Sequence, residues 1–210
     1  MTSQVGLFDN EFEPQVIQDA GLDVRLWERF LDARDATTLL TDLIEKTPWK
    51  SEVISIYGKK VPMPRLTCWY GDPGATYSYS GIRNDPLPWP DNLLVLRNSL
   101  QEACASKFNS VLLNYYRNGA DYMSWHSDDE RELGEMPTIA SLSLGASRVF
   151  QFRPKHLTPQ QRIHNITLKH GSLLVMSGMT QERWVHAIQK APREKEGRVN
   201  LTFRQIMMKN

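Results

Sequence analysis

The sequence predicts a mainly β fold, an antiparallel sandwich or jelly roll with two α-helices against its outside. Three observations support this class. After about residue 108 the chain consists of short runs of strand-forming residues, separated by Gly and Pro and without helical stretches between them. Two earlier segments have the apolar spacing of helices. The length of 210 residues, with 40% hydrophobic and 23% charged residues, suits one globular domain.

Two helices are predicted from caps and apolar stripes. Asp35 is the expected N-cap of the first helix, and Pro48 ends it. The second helix is expected to begin at Asp91, directly after Pro90. The apolar positions are Leu39, Leu40, Leu43 and Ile44 in the first helix and Leu93, Leu96, Leu100 and Cys104 in the second.

The remaining elements are predicted to be strands. Residues 1–20 are polar without a clear period, so we expect a loosely tethered arm there. Between about residues 50 and 85, short β-like runs broken by Gly and Pro predict hairpins, one with its turn around Gly58. About residues 108–208 are expected to form the β core. Its predicted strands are Ser110–Tyr116, 138–145, 147–153, 164–176, Trp184–Ile188 and 198–207.

Composition excludes several classes of protein. No apolar run approaches the roughly 20 residues of a membrane-spanning helix. Acidic residues at 9, 11 and 13 do not fit a secretory signal. Cys68 and Cys104 form no CxxC pair, which excludes a cysteine-based zinc site within this chain. We expect a protein that is neither secreted nor membrane-bound, in the cytoplasm of a bacterium or the nucleus of a eukaryote.

Charge is balanced overall but divided along the chain. The formal net charge is +1, whereas residues 1–146 carry −8 and residues 147–210 carry +9. The C-terminal third can therefore face a polyanion such as nucleic acid. The alternative is an ordinary set of solvated lysines and arginines, which composition alone favours.

A metal site is suggested by His126-Ser127-Asp128 and by His186, which lies 60 residues further on. In an extended segment residues i and i+2 point to one face, so His126 and Asp128 can reach the same ion. Two histidines and one carboxylate leave open coordination positions and are typical of non-haem Fe(II) oxygenases. The alternatives are an acidic surface turn at 126–130 and a core histidine at position 186.

The last predicted strand carries two arginines on one face. Arg198 and Arg204 are six residues apart, an even spacing, and Asn200 and Thr202 share their face. Buried guanidinium groups are costly unless anions meet them, and a dicarboxylate supplies two carboxylates. Asn114 and Tyr116, spaced by two, can add an amide and a phenol from a facing strand. The alternative is an exposed edge strand with solvated arginines.

Taken in order, these residues resemble the AlkB family of Fe(II)/2-oxoglutarate-dependent dioxygenases, and within it the members that repair double-stranded DNA. The resemblance covers about residues 52–208 and implies a double-stranded β-helix with a nucleotide-recognition extension at about residues 50–85. The matching motifs are Asn114-x-Tyr116, His126-x-Asp128-Asp129-Glu130, SLSLGASRVFQFR, HGSLLVM, His186 and Arg198-x-Asn200-Leu-Thr-Phe-Arg204.

The resemblance also assigns roles to individual residues. His126, Asp128 and His186 would bind Fe(II). Arg198 would meet the distal carboxylate of 2-oxoglutarate, and Arg204 would lie nearer its iron-bound end. The full set that would hold 2-oxoglutarate is Asn114, Tyr116, Arg198, Asn200 and Arg204.

Further residues match positions that contact the substrate base. Tyr79 would stack on the base, where the best-known relative has Phe, and Tyr77 and Ser80 flank it. Glu130, beside Asp129, would accept a hydrogen bond from an exocyclic amine. Arg65 would orient that acid or meet phosphate. Tyr57 would wedge into the gap left by the extruded nucleotide.

The implied reaction is oxidative demethylation of bases such as 1-methyladenine and 3-methylcytosine in DNA. It would consume 2-oxoglutarate and O2 and release succinate, carbon dioxide and formaldehyde. We expect a monomer that binds alkylated DNA. The alternatives are the same chemistry on RNA or on a protein side chain, and a non-catalytic jelly-roll module that binds a metal or a small acid. Zinc-dependent hydrolysis leaves the paired arginines unexplained.

Overall fold

The protein is described by a computed structural model over residues 13–56, 59–79, 82–156 and 162–207. For residues 54–56, 59, 77–79 and 82–84 the description covers the backbone. The helices are α1 (Ala33–Lys46), α2 (Asp91–Cys104) and the short α3 (Thr180–Arg183). The strands are β1 (Gln15–Asp19), β2 (Leu22–Trp27), β3 (Val53–Ile56), β4 (Lys59–Pro62), β5 (Leu66–Gly71), β6 (Tyr77–Tyr79), β7 (Ile82–Asn84), β8 (Ser110–Tyr116), β9 (Met123–His126), β10 (Ile139–Gly145), β11 (Arg148–Pro154), β12 (His164–Leu168), β13 (Ser172–Met176), β14 (Trp184–Ile188) and β15 (Arg198–Arg204).

Strands β8 to β15 are divided between two antiparallel sheets. Strands β8, β10, β13 and β15 belong to a seven-stranded sheet with the order β1-β2-β13-β10-β15-β8-β5. Strands β9, β11, β12 and β14 form a four-stranded sheet with the order β12-β11-β14-β9. This arrangement of four strands in each sheet is a jelly roll. The predicted fold class is confirmed.

The larger sheet separates an apolar layer from a polar interior. On β15, Val199, Leu201 and Phe203 belong to a core cluster that also contains buried residues of both long helices. The predicted stripe of α2 is buried in full, from Leu93 to Cys104. The opposite face of β15 turns inward, toward the space between the sheets. Alternation along one strand therefore serves both the core and the candidate site.

Three local predictions are wrong for identifiable reasons. Asp32, not Asp35, caps α1, because the Asp32 carboxylate accepts a hydrogen bond from the Asp35 amide at 2.8 Å. The predicted arm of residues 1–20 contains β1, which is held by backbone pairing with β2 rather than by burial, since Val16 is 57% exposed. The predicted strand 164–176 is two strands, which reverse at Gly171 with a φ of +78°.

Two further strands were not predicted, and one strand was predicted to be too long. Strand β2 has alternating buried residues, Leu22, Val24 and Leu26, a period-two signal that the sequence did contain. Strand β9 also lay outside the predicted strands. Strand β15 ends at Arg204 rather than at residue 207, because the amide of Ile206 bonds to the Asn109 side chain at 2.7 Å and leaves the sheet.

Two hairpins precede the jelly roll, as the sequence predicts. Strand β3 pairs with β4 so that Ile56 faces Lys59, which places the connection at residues 57–58, outside the described residues. Strand β6 pairs with β7. Between the hairpins, β5 joins the larger sheet beside β8. In the described part of the chain, no helix has the length and apolarity needed to cross a membrane.

The corrected cap gives a test of the fold. Asp32→Ala removes the capping hydrogen bond that the Asp35 amide donates to the Asp32 carboxylate, and it is expected to lower the free energy of unfolding by about 1 kcal/mol. Asp35→Ala removes only a favourable charge at the helix N-terminus, worth about 0.5 kcal/mol. Urea denaturation of both variants measures the difference. A larger loss for Asp35→Ala would contradict the assignment of the cap.

Candidate metal centre and its anion-binding cavity

Three possible metal ligands converge on the inner face of the smaller sheet. Strands β9 and β14 pair so that His126 lies directly opposite His186. Asp128 follows β9 by two residues and reaches the same point. Ligand atoms of the three side chains all lie within 4.8 Å of one another. Two imidazoles and one carboxylate, grouped on one side, are the donor set of non-haem Fe(II) sites.

Neighbouring groups hold these ligands in place. The Nδ1 atom of His126 lies 2.9 Å from the Ser124 carbonyl, so Nδ1 carries the proton and Nε2 is left for a metal. His186 stacks on Phe150, with ring centroids 5.1 Å apart. Asp128 is fixed twice: its amide donates to Gln181 Oε1 at 2.9 Å, and its Oδ1 accepts from Arg204 at 2.8 Å.

All eight residues assigned from the sequence to iron and 2-oxoglutarate line one cavity. Asn114 and Tyr116 of β8 face Asn200 and Arg198 of β15 across the sheet. The side chains of Arg198 and Arg204 are buried, which decides against the alternative of solvated arginines. The other residues that line the cavity are Leu112, Met123, Ser141, Phe150, Met176, Ile188 and Thr202.

The polar side chains of this cavity differ in how many of their hydrogen-bonding atoms already have a protein partner. Arg198 donates from Nη2 to Ser143 at 2.9 Å, while its Nε and Nη1 have no partner among the described residues. The Asn200 amide donates to Ser141 and Leu142, and its oxygen accepts from Thr202. Asn200 therefore supports the cavity wall, whereas Arg198 retains donors for an anion.

Burial and charge shift the pKa values of the three converging residues. Burial lowers the pKa of His126 below its usual value. Burial and the neighbouring His126 lower the pKa of His186 to about 3. Burial alone raises the pKa of Asp128, but Arg204 and the two histidines outweigh it and bring that pKa to about 2. At neutral pH the site presents two neutral imidazoles and a carboxylate, the protonation states that metal binding requires.

Comparisons with known proteins agree with this geometry. Residues 23–204 match the sequence model of the 2OG-Fe(II) oxygenase superfamily. The chain is 40% identical to human alpha-ketoglutarate-dependent dioxygenase alkB homolog 3 over 92% of this chain and 73% of that protein. It is 34% identical to the Arabidopsis thaliana DNA oxidative demethylase ALKBH2 over 89% of this chain and 67% of that protein.

The chain belongs to the AlkB family of 2OG-Fe(II) oxygenases. The solved structure of OsALKBH1 has the same fold, with a TM-score of 0.63 at 16% identity, over 91% of this chain and 99% of that one. This AlkB-family protein is an Fe(II)/2-oxoglutarate-dependent dioxygenase, and it uses Fe(II), 2-oxoglutarate and O2. The residues present fit these groups: the two-histidine, one-carboxylate donor set suits ferrous iron, and the buried donors of Arg198 suit a carboxylate.

The residues predicted to contact the base lie in different surroundings in this AlkB-family enzyme. Arg65 is buried and donates to Asn114 at 2.8 Å, a partner that neither of its two predicted roles includes; these were to orient Glu130 or to meet phosphate. Asp129 points away from the cavity to Lys155, 2.7 Å distant. Glu130 is half-buried at the start of a 3-10 turn, Arg131–Leu133. The backbones of Tyr77 and Tyr79 lie on β6, and Tyr57 and Ser80 lie outside the described residues.

A second cavity adjoins the first, and both are lined by Leu112. It lies beneath the segments that lead into and out of the two hairpins. Its walls include the apolar side chains of Met63, Trp69 and Leu87, with Arg65 and Thr67 buried beside them.

Sequence reasoning missed several residues that shape the cavity. Ser141 and Ser143 contact Asn200 and Arg198, and their alternation with leucines in SLSLG was a usable signal. Gln181, on α3, holds the backbone of Asp128. Nothing in its local sequence distinguishes Gln181, because its role comes from the packing of α3 against a distant segment.

The lowered pKa of His186 predicts acid sensitivity of the metal-free protein. Below the ordinary value of 6.5 the unfolded chain takes up a proton that the folded chain refuses until about pH 3. Stability is therefore full above pH 6.5 and falls with decreasing pH, by up to about 1.4 kcal/mol per pH unit. Urea unfolding at pH 7, 6 and 5 should show this slope.

The matched variants are His186→Gln, which should flatten the slope, and His156→Gln at an exposed position, which should leave it unchanged. An equal slope in wild type and His186→Gln would show that His186 does not cause the acid sensitivity.

Proposed function

We propose that this dioxygenase removes N-linked methyl groups from bases of the 1-methyladenine and 3-methylcytosine type in DNA, and that it releases formaldehyde and succinate. The observation that carries the proposal is the shared cavity, in which the three possible iron ligands lie beside two buried arginines. The name DNA oxidative demethylase, borne by the ALKBH2 relatives, supports DNA as the substrate class.

In this proposal His126, Asp128 and His186 hold the iron. His126 binds through Nε2, because its Nδ1 proton is committed to Ser124. Arg204 keeps the Asp128 carboxylate ionised and oriented through their 2.8 Å contact. With iron and 2-oxoglutarate bound, O2 would be the oxidant: one oxygen atom would go to succinate as 2-oxoglutarate loses carbon dioxide, and the other would hydroxylate the methyl carbon. The resulting hemiaminal loses formaldehyde and leaves the unmodified base.

Arg198 receives the distal carboxylate of 2-oxoglutarate, because its Nε and Nη1 are buried donors without protein partners among the described residues. The Tyr116 ring lies against this guanidinium, 5.2 Å from its centre, and limits its rotation. Asn114 is held by Arg65, so Arg65 acts on this end of the cavity rather than on phosphate. Asn200 forms part of the cavity wall beside the bound 2-oxoglutarate.

The base enters through the second cavity, beneath the hairpins. A methyl group on the pairing edge is out of reach inside a duplex, so the nucleotide must leave the stack. Apolar walls such as Trp69 and Leu112 suit a flat heterocycle. Tyr79, flanked by Tyr77 and Ser80, stacks on the base, and Glu130 accepts from its exocyclic amine. Tyr57 fills the vacated position in the duplex.

The basic C-terminal third supplies contacts to the phosphate backbone. Its formal charge of +9 contrasts with −8 in the rest of the chain. One chain contributes all eight residues assigned to iron and 2-oxoglutarate, so we expect the enzyme to act as a monomer. It would act where the genome lies, in a bacterial cytoplasm or a eukaryotic nucleus.

Substrate class is tested with oligonucleotides carrying 1-methyladenine or 3-methylcytosine. Formaldehyde and succinate should appear in equal amounts from methylated DNA, only with Fe(II), 2-oxoglutarate and O2 present. Matched single-stranded DNA, duplex DNA and RNA of one sequence should be compared by initial rates. Faster turnover of the RNA would show that RNA rather than DNA is the substrate class. Absence of formaldehyde from every oligonucleotide would refute nucleic-acid demethylation.

The roles of His126 and Arg204 are tested by His126→Ala and Arg204→Ala. His126→Ala should lower formaldehyde release at least about a hundredfold, and Arg204→Ala about 10- to 100-fold, the usual cost of losing an outer partner of a metal ligand. His126→Ala should also lose binding of Mn(II), measured by electron paramagnetic resonance. Arg153→Ala, on the outer face of β11, is the control and should retain activity. Full activity of either cavity variant would show that the substituted residue has no role in the site.

A further inference from the structure

Arg148 is a buried cation that the proposed function does not use. It begins β11 and its side chain is 3% exposed. Its guanidinium lies 5.8 Å from the centre of the Tyr116 ring, and Arg198 lies 5.2 Å from the same centre. The two guanidinium groups thus share one aromatic ring at the end of the cavity assigned to the distal carboxylate.

Arg148 also bonds to two connections between strands. Its Nη2 donates to the carbonyl oxygens of Asp121 at 3.0 Å and Gln189 at 2.6 Å, on the β8–β9 and β14–β15 connections. The connections touch directly at Gly119, where an added Cβ would lie 1.7 Å from the Ala191 carbonyl oxygen. The position of Arg148 beside Tyr116 is therefore closely fixed.

The positive charge of Arg148 is not cancelled by an ion pair among the described residues. Its hydrogen-bond partners are neutral carbonyls, and the nearby Asp121 carboxylate is held by Arg117 at 2.8 Å. Asp121 and Glu194 are the acids whose charge reaches Arg148, and burial nevertheless lowers its pKa. Burial also lowers the pKa of Arg198 to about 10, with Arg148 among the contributing charges.

We propose that Arg148 determines the preference of this cavity for a keto diacid over a keto monoacid. Arg198 contacts the distal carboxylate, and Arg148 supplies a second positive charge beside Tyr116 that does not favour an uncharged chain end. In a medium of intermediate dielectric constant, a positive charge several ångströms away favours a carboxylate over an uncharged group by about tenfold or more. This inference rests on the proposed role of Arg198.

The test compares two ligands in Mn(II)-loaded protein by calorimetry. One is 2-oxoglutarate, and the other is 2-oxopentanoate, which carries a methyl group in place of the distal carboxylate. Arg148→Gln keeps a donor for the carbonyls but removes the charge. It should weaken 2-oxoglutarate binding about tenfold and change 2-oxopentanoate binding less than about twofold. Arg148→Lys should keep the wild-type ratio of the two affinities.

If Arg148→Gln lowers the affinity for both ligands equally, the ratio of the two affinities is unchanged. That result would show that Arg148 is purely structural and would overturn the inference. If Arg148→Gln folds poorly by circular dichroism, Arg148→Lys decides: a lost preference despite the retained charge refutes the proposal. Arg153→Gln, on the same strand against Trp125, is the control and should match wild type. Arg198→Met separates the two proposals, because unchanged 2-oxoglutarate binding there would refute the proposed site itself.

Discussion

The site depends on the complete burial of β15, whose seven residues all lie inside the protein. One face of this strand completes the apolar core against the helices, and the other brings Arg198 and Arg204 into the cavity. Because the two faces alternate, a shift of one residue in register would exchange core for cavity. Pairing with β8 and β10 on either side prevents that shift.

Buried charge sets the chemistry of the cavity. Arg204 is paired with Asp128, so this acid stays ionised although burial opposes it. Among the described residues, the hydrogen-bond acceptors of Arg198 and Arg148 are neutral, which leaves that end of the cavity electropositive. An uncompensated buried cation is costly, and a bound dicarboxylate offsets that cost. The same imbalance that lowers the stability of the empty fold therefore favours the co-substrate.

The sequence predicted those features that depend on period-two alternation. The inward face of β15, its apolar opposite face, and the partnership of Asn114 and Tyr116 with that strand all follow from even spacing. Residue spacing could not predict the pairing of His126 with His186, because that pairing depends on which strands become neighbours. Only the family resemblance predicted it. Side-chain partners were the least predictable. Lys155 draws Asp129 away, Asn200 is taken up by Ser141 and Thr202, and Asp32 replaces Asp35 as the cap of α1.

Strand β9 occupies the margin of the smaller sheet, with β14 as its single strand neighbour among the described residues. A metal held by His126 and His186 would bridge these two strands independently of their backbone hydrogen bonds. Ligand binding to the native state alone adds to its stability by mass action. Iron loading would therefore act as a cross-link on an edge strand of the smaller sheet, and loss of the iron would loosen that strand.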